Sequence, residues 1–306
     1  MFILDASSAY KAVLQEMKKH IAGKEEVIEL MFIAVVANGH VLLEGVPGVA
    51  KTTMTKALAD TMQADFKRVQ GTPDLQPKDI VGYTYVDEHN NIKLNKGPIF
   101  TNIFLIDEMN RMQPMTMSAL LETLEERQVS IGGSDIQLPK PFIAFSTQNP
   151  LRIEGTEPLP KVLADRFLMR INVDYPSMEE EQAMLKLKES EEKVAVNKII
   201  STDDILKMQE DAKHIQMPDD VGEYITRIVN ATRKDIHAVM GASPRADIAF
   251  MNCAKAKALV EGRTSATKED VRFLARAVLS HRIVVRATGG IGVNGIIDGI
   301  LATMPS

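Results

Sequence analysis

Residues 41–53, VLLEGVPGVAKTT, constrain this chain more than any other stretch. Val41, Leu42, Leu43 and Glu44 read as a short buried strand. Gly45-Val46-Pro47-Gly48-Val49-Ala50-Lys51-Thr52 reads as a loop, and TTMTKALADTM, from Thr52, reads as a helix with Met54, Ala57, Leu58 and Met62 at helical spacing. Strand, glycine-bearing loop and helix in that order form a phosphate cradle. A triphosphate needs many donors fixed in place, and the N–H groups of a helix N-terminus supply them together with the helix dipole. Gly45 and Gly48 let the backbone curl without a Cβ clash. Lys51 is expected between the β- and γ-phosphates, with the Thr52 hydroxyl on Mg²⁺. The candidate nucleotide-binding set is therefore Gly45, Val46, Pro47, Gly48, Val49, Ala50, Lys51, Thr52 and Thr53. One departure stands out: G-x-x-x-x-G-K-[ST] has glycine where this chain has Ala50, an intrusion of one methyl. The plainer alternative is a glycine-rich turn followed by a lysine-bearing helix.

A second segment gives that loop a counterpart. Asn102-Ile103-Phe104-Leu105-Ile106 runs into Asp107-Glu108. A continuous apolar run fits a central parallel strand, and acids at its carboxyl end sit where open α/β sheets bind ligands. Asp107 is the candidate Mg²⁺ ligand beside Thr52, and Glu108 the candidate base that orients and deprotonates water. The strand Phe142–Ser146 ends in Thr147-Gln148-Asn149-Pro150, where Asn149 is placed for the γ-phosphate and water, or is simply a turn residue before proline.

The rest of the chain orders itself around these pieces. Residues 4–20 and 25–38 read as helices and 66–70 as a strand. Residues 71–100 hold a hairpin, with strands at 83–86 and 92–94 and the tip Glu88-His89-Asn90-Asn91. A helix over 115–127 and a second hairpin over 129–138 follow. Asp165-Arg166-Phe167 precedes a strand over 168–173, and Tyr175-Pro176-Ser177 marks a domain boundary at 175–176. Beyond it strands stop, and Ser177 with Glu180, Ser201 with Asp204 and Thr267 with Asp270 give helix starts. Helices are expected over 178–190, 203–213, 219–235, 244–261 and 268–280. Residues 189–193 read as a solvated charge run, and the glycine-spaced tail is left unassigned. The fold class expected is α/β, a parallel-sheet nucleotide-binding core over 1–175 with helices on both faces, then an all-α lid over 176–306.

Composition narrows the partners. A length of 306 residues implies two domains, and a formal charge of −5 gives no general affinity for nucleic acid or anionic lipid. The single cysteine, Cys253, excludes a disulfide framework and fits the cytoplasm. MFILDASSAYK lacks the basic start of a signal peptide, and MFIAVVA (31–37) is too short to span a membrane. The six histidines lack ligand spacing, so none is assigned to a metal.

Taken together, GVPGVAKT, LIDEMNRM, ALLETLEERQVSIGG, STQNPLRIEGTEPLPKVLADRFLMRI and ASPRADIAFMNCAKA resemble the blocks of AAA+ ATPases, and more closely of the MoxR family. That family has alanine at the Ala50 position. The resemblance implies a ring, usually hexameric, that hydrolyses ATP with Mg²⁺ and acts as a chaperone or metal-inserter on a protein partner, often one with a von Willebrand factor A domain. It implies that Asp107 and Glu108 are the Walker B pair and Asn149 is sensor 1. It makes Arg166 an arginine finger for the neighbouring subunit and Arg245 sensor 2 on the lid, and it puts Ile21 and Gly23 at the adenine pocket. Residues 71–100 would be the helix-2 insert, and 129–138 the pre-sensor hairpin. Arg166, at the start of a core strand, is expected to face outward, away from its own loop. Two other readings compete: a nucleic-acid motor of the helix-2-insert group, opposed by the acidic balance, and a binding module that only holds nucleotide. A GTPase is disfavoured because Asn95-Lys96 leads to Gly97-Pro98, not to N-K-x-D.

Overall fold

The computed structural model describes residues 5–149, 159–189, 195–286 and 290–304. The charge run at 190–193 and the block at 150–158 lie outside them. In chain order the elements are α1 (Ala6–Met17), α2 (Glu25–Val36), β1 (Val41–Glu44), α3 (Lys51–Thr61), β2 (Phe66–Gln70), α4 (Pro77–Val81), β3 (Gly82–Val86) and β4 (Ile92–Lys96). Then come β5 (Ile103–Asp107), α5 (Pro114–Glu126), β6 (Gln128–Ile131), β7 (Ser134–Gln137), β8 (Ile143–Gln148), α6 (Lys161–Ala164) and β9 (Met169–Asn172). The helical half holds α7 (Met178–Glu189), α8 (Thr202–His214), α9 (Asp219–Lys234), β10 (Ala238–Met240), α10 (Arg245–Val260), α11 (Lys268–Leu279), β11 (Val284–Val285) and α12 (Val293–Thr303).

Five strands form one parallel sheet in the order β2-β5-β8-β1-β9. All five residues of β5 are buried, because helices cover both faces. Alternate residues serve opposite cores. Val41, Leu43, Ile103 and Leu105 pack with α1, α2 and α3, while Leu42, Phe104 and Ile106 pack with α5 and the hairpin β6–β7. Edge strand β2 is more open, with Lys67 and Arg68 exposed.

The lid is not a separate globule. Helix α10 packs on α8, α9 and α11 and also on α1 and α2, so one apolar cluster runs from the sheet into the lid. Each S/T-x-x-[DE] start caps its helix; Ser201 accepts from the Asp204 N–H at 3.2 Å while Asp204 accepts from the Ser201 N–H at 2.8 Å. Cys253 is buried in α10, where desolvation pushes its thiol pKa up. Among the described residues no helix is long and apolar enough to cross a membrane.

Three parts depart from expectation. The lid is not purely helical, since β10 and β11 pair as a short antiparallel ribbon. The glycine-spaced tail forms α12, which holds Ile296, Ile297 and Ile300 buried against the lid; burial of one stripe outweighs the low propensity of its glycines. Pro77 opens a short helix before the first hairpin, capped by Gln76 and Asp79.

Glu16 ties α1 to the segment entering the lid. It is 3% exposed and accepts from the Asn197 main-chain and side-chain amides at 2.9 and 3.0 Å and from Lys19 Nζ at 2.7 Å. Burial alone would raise its pKa; the hydrogen bonds from Lys19, Asn197 and His20 outweigh burial and bring it to about 2. Glu16→Gln should therefore cost about 1–3 kcal/mol at pH 7. A depressed carboxylate pKa stabilises above the unfolded value of 4.5, and that contribution is lost as pH falls toward about 2. Denaturant melts of parent and variant should thus diverge at neutral pH and converge in acid.

Candidate active site

The loop between β1 and α3 turns over the carboxyl edge of the sheet. A Cβ at Gly45 would lie 2.3 Å from the Val173 carbonyl oxygen, so only glycine lets the loop press against the exit of β9. Gly48 has φ +87° and open space where a Cβ would stand. Ala50 (φ +63°) precedes α3, and no side chain caps that helix. The first N–H groups of α3 are thus left uncapped by any side chain at the positive end of the helix, which fits a polyphosphate. Lys51 is half-buried, and its Nζ donates to the carbonyls of Gly45 at 2.6 Å and Val46 at 2.7 Å. Burial lowers its pKa, while Asp107 and Glu108 oppose that shift. Ala50 is exposed, so its methyl is not packed into the core. Its consequence is backbone strain instead, because a left-handed φ costs a non-glycine residue roughly 1 kcal/mol.

The acids stand beside this loop. The Thr52 hydroxyl donates to Asp107 Oδ2 at 3.0 Å, and the Thr147 hydroxyl donates to Oδ1. Arg68 Nη2 lies 2.8 Å from Asp107 Oδ2. Glu108 follows in a left-handed conformation (φ +53°), which turns its side chain away from that of Asp107. Its carboxylate accepts from Gln70 Nε2 and Arg111 Nη1, both at 2.9 Å. Asn149 is half-buried, one residue past Gln148, whose carbonyl accepts from the Gly45 N–H at 3.3 Å. Among the described residues no group of three or more His, Cys, Asp or Glu could hold a metal. The Thr52 hydroxyl and the Asp107 carboxylate, two hard oxygen donors side by side, are of the kind that Mg²⁺ takes together with phosphate oxygens.

Arg166 and Arg245 sit elsewhere. Both line a hollow of about 230 Å³ with Gly39, His40 and Glu125, at the amino end of β1. The four residues of β1 separate them from the loop, a span of about 13 Å. Arg166 is 16% exposed, so it does not project outward as expected: it is drawn onto Glu125 at the end of α5. Arg245 Nη2 donates to the same carboxylate at 2.6 Å.

A family model described as the ATPase family associated with various cellular activities (AAA) matches residues 40–169, and an AAA lid domain matches residues 230–292. Chaperone MoxR1 of Mycobacterium tuberculosis is 40% identical over 280 residues, spanning 88% of this chain and 74% of that protein. The chain belongs to the MoxR family of AAA+ ATPases. The uncharacterized protein YeaC of Bacillus subtilis is likewise 40% identical, over 96% of this chain and 93% of its own length. A crystal structure of an ATPase candidate from Cytophaga hutchinsonii superposes with a TM-score of 0.90 at 36% identity, covering 98% of this chain and 95% of that one.

In this MoxR-family ATPase, Ile21, Ala22 and Gly23 line a hollow of about 490 Å³ with Ala183 and Leu187 of α7. Lys24 pairs with Glu180 at 3.1 Å and donates to the Tyr175 carbonyl at 3.2 Å, which fastens α7 there. Sequence reasoning missed Arg68, Gln70, Arg111 and Thr147 around the acids, and Glu125, Asp165 and Arg282 around the distant arginines. Gln70 reaches Glu108 because β2 pairs with β5 in a register that sets Gln70 opposite Asp107; no local pattern encodes that register. Relief of the Ala50 strain gives a test of the loop: Ala50→Gly should raise stability by about 0.5–1 kcal/mol and leave nucleotide affinity intact, measured by thermal melting with and without ATP.

Proposed function

We propose that this ATPase works as a head-to-tail ring, hexameric by family resemblance, in which each subunit supplies the phosphate loop of one site and the arginines of the next. The observation that carries this reading is the pairing of Arg166 and Arg245 on Glu125, one strand-length from their own Lys51. Neither arginine reaches its own phosphates from there, while a neighbour docked on that face would meet both.

Within one site, main-chain amides from Gly48 to Thr53 and the Lys51 ammonium hold the β- and γ-phosphates. Thr52 and Asp107 would hold Mg²⁺, which would supply charge neutralisation on those oxygens. Glu108 orients water and accepts its proton, and Gln70 and Arg111 hold its carboxylate until then. Asn149 contacts the γ-phosphate and the water. Ile21 and Gly23, with Ala183 and Leu187, bracket the adenine. Arg166 and Arg245 of the adjoining subunit stabilise charge on the transferring phosphoryl group. Turnover moves the lid, and the ring uses that motion on a protein partner in the cytoplasm. The name of the Mycobacterium relative favours chaperone-like remodelling; metal-cofactor insertion and a von Willebrand factor A partner rest on family resemblance.

A nucleic-acid motor draws little support. The hairpin β3–β4 carries the acidic tip Asp87-Glu88, and its two lysines are engaged. Lys93 lies 3.7 Å from Asp87, and Lys96 stands 5.0 Å from the Phe100 ring centroid.

Lys51→Ala should abolish nucleotide binding, seen by fluorescent-nucleotide titration. Glu108→Gln should keep affinity while turnover falls at least about 100-fold. Mixing Lys51→Ala with Arg166→Ala subunits should restore activity that neither shows alone; no recovery at ring-forming concentration would overturn the shared site.

A further inference from the structure

Two carboxylates of the sheet half, Glu125 and Asp165, organise the hollow at the amino end of β1, and both engage groups from the lid. Glu125 engages Arg166, from the turn before β9, and Arg245, from the first turn of α10. Asp165 engages Arg282 Nε at 3.0 Å, Arg245 Nη1 at 3.7 Å and the Ser243 hydroxyl at 3.0 Å. Glu125, Asp165 and Arg166 belong to the sheet half; Ser243, Arg245 and Arg282 belong to the lid. The lid is thus fastened to the core through Arg245, an arginine that in the proposed ring meets a neighbour's phosphate.

The footing of Glu125 is rigid. Its chain neighbour Leu124 accepts from His40 Nε2 at 2.8 Å, and His40 Nδ1 accepts from the Ala144 N–H at 3.0 Å. That buried imidazole pins the end of α5 to β1 and β8 at once. The arginines, by contrast, are long side chains with much rotamer freedom to lose. Arg245 is 48% exposed, so its ion pairs with Glu125 and Asp165 are what direct it. A guanidinium carries five donors in a planar fork, so a carboxylate on one edge leaves another edge for phosphate oxygens.

We propose that Glu125 is a positioning residue: one carboxylate holds Arg166 and Arg245 side by side, so that a neighbour's γ-phosphate meets both, and links that phosphate to the lid. The proposal rests on the reading that these arginines act across the subunit boundary. A phosphate drawing on Arg245 loads the same ion pairs that fasten the lid to the core. Hydrolysis next door is then felt where the lid of this subunit joins its core.

The test uses the full chain at ring-forming concentration with saturating MgATP. E125Q should lower kcat about tenfold or more while KM for ATP stays within about twofold, because its own phosphate loop lies at the other end of β1. E125Q combined with Arg166→Ala should be no slower than Arg166→Ala alone, within about twofold, since the two act as one unit. E125Q subunits, with an intact loop, mixed with Lys51→Ala subunits, with intact arginines, should regain activity. A folding defect would not be rescued that way. An unchanged kcat in E125Q, losses that multiply in the double variant, or no rescue on mixing would each overturn the assignment. If Lys51→Ala and Arg166→Ala complement each other while E125Q behaves as wild type, the shared site stands and only the role of Glu125 falls.

Discussion

The hydroxyl of Thr52 donates to the carboxylate of Asp107 at 3.0 Å, joining the first turn of α3 to the end of β5. These residues come from elements two strands apart in the sheet, and their meeting requires β5, β8 and β1 to run parallel with their carboxyl ends level. A one-residue slip in either pairing would turn the acid's side chain to the other face. Both faces of β5 and β8 are buried, so the register is held by side-chain packing against the two cores and not by the apolar pattern of the strands. The site is thus a consequence of core packing carried to the edge of the sheet.

The same parallel arrangement has a second consequence at the opposite edge. Segments that enter the strands gather there: His40 before β1, Arg166 before β9, and the end of α5 with Glu125. The lid returns to this edge through α10 and α11, because α10 packs against α1 and α2 and α11 packs on β9. One molecule therefore carries a phosphate-shaped cradle at one end of β1 and a cluster of guanidinium groups at the other. The two poles cannot meet within one chain, and the proposed head-to-tail ring would join one to the other across a subunit boundary.

Much of this was legible locally. The loop at 45–53 shows its glycines, lysine and threonine in order, and the strands and most helices follow from apolar spacing and their capping residues. The misses have physical causes. The tail helix α12 carries two glycines that argue against helix, and its stability comes from the stripe Ile296, Ile297 and Ile300, visible only once the lid exists to receive it. The ribbon β10–β11 joins segments over forty residues apart and too short to show a period. Ala50 reads in sequence as a steric departure; the backbone shows instead a left-handed residue with its methyl in the open.

The amino-acid sequence by itself determined the strand, glycine-bearing loop and helix over 41–61, the acids at the carboxyl end of β5 and the order of strands and helices, because each is written in neighbours a few residues apart. Only the tertiary structure decided that Gln70 and Arg111 would hold Glu108, and that Arg166 and Arg245, 79 residues apart in the chain, would share Glu125 far from their own loop. Hydrophobic period records which residues are buried. It does not record which strands are neighbours or in what register, and those choices fix where each charged side chain ends.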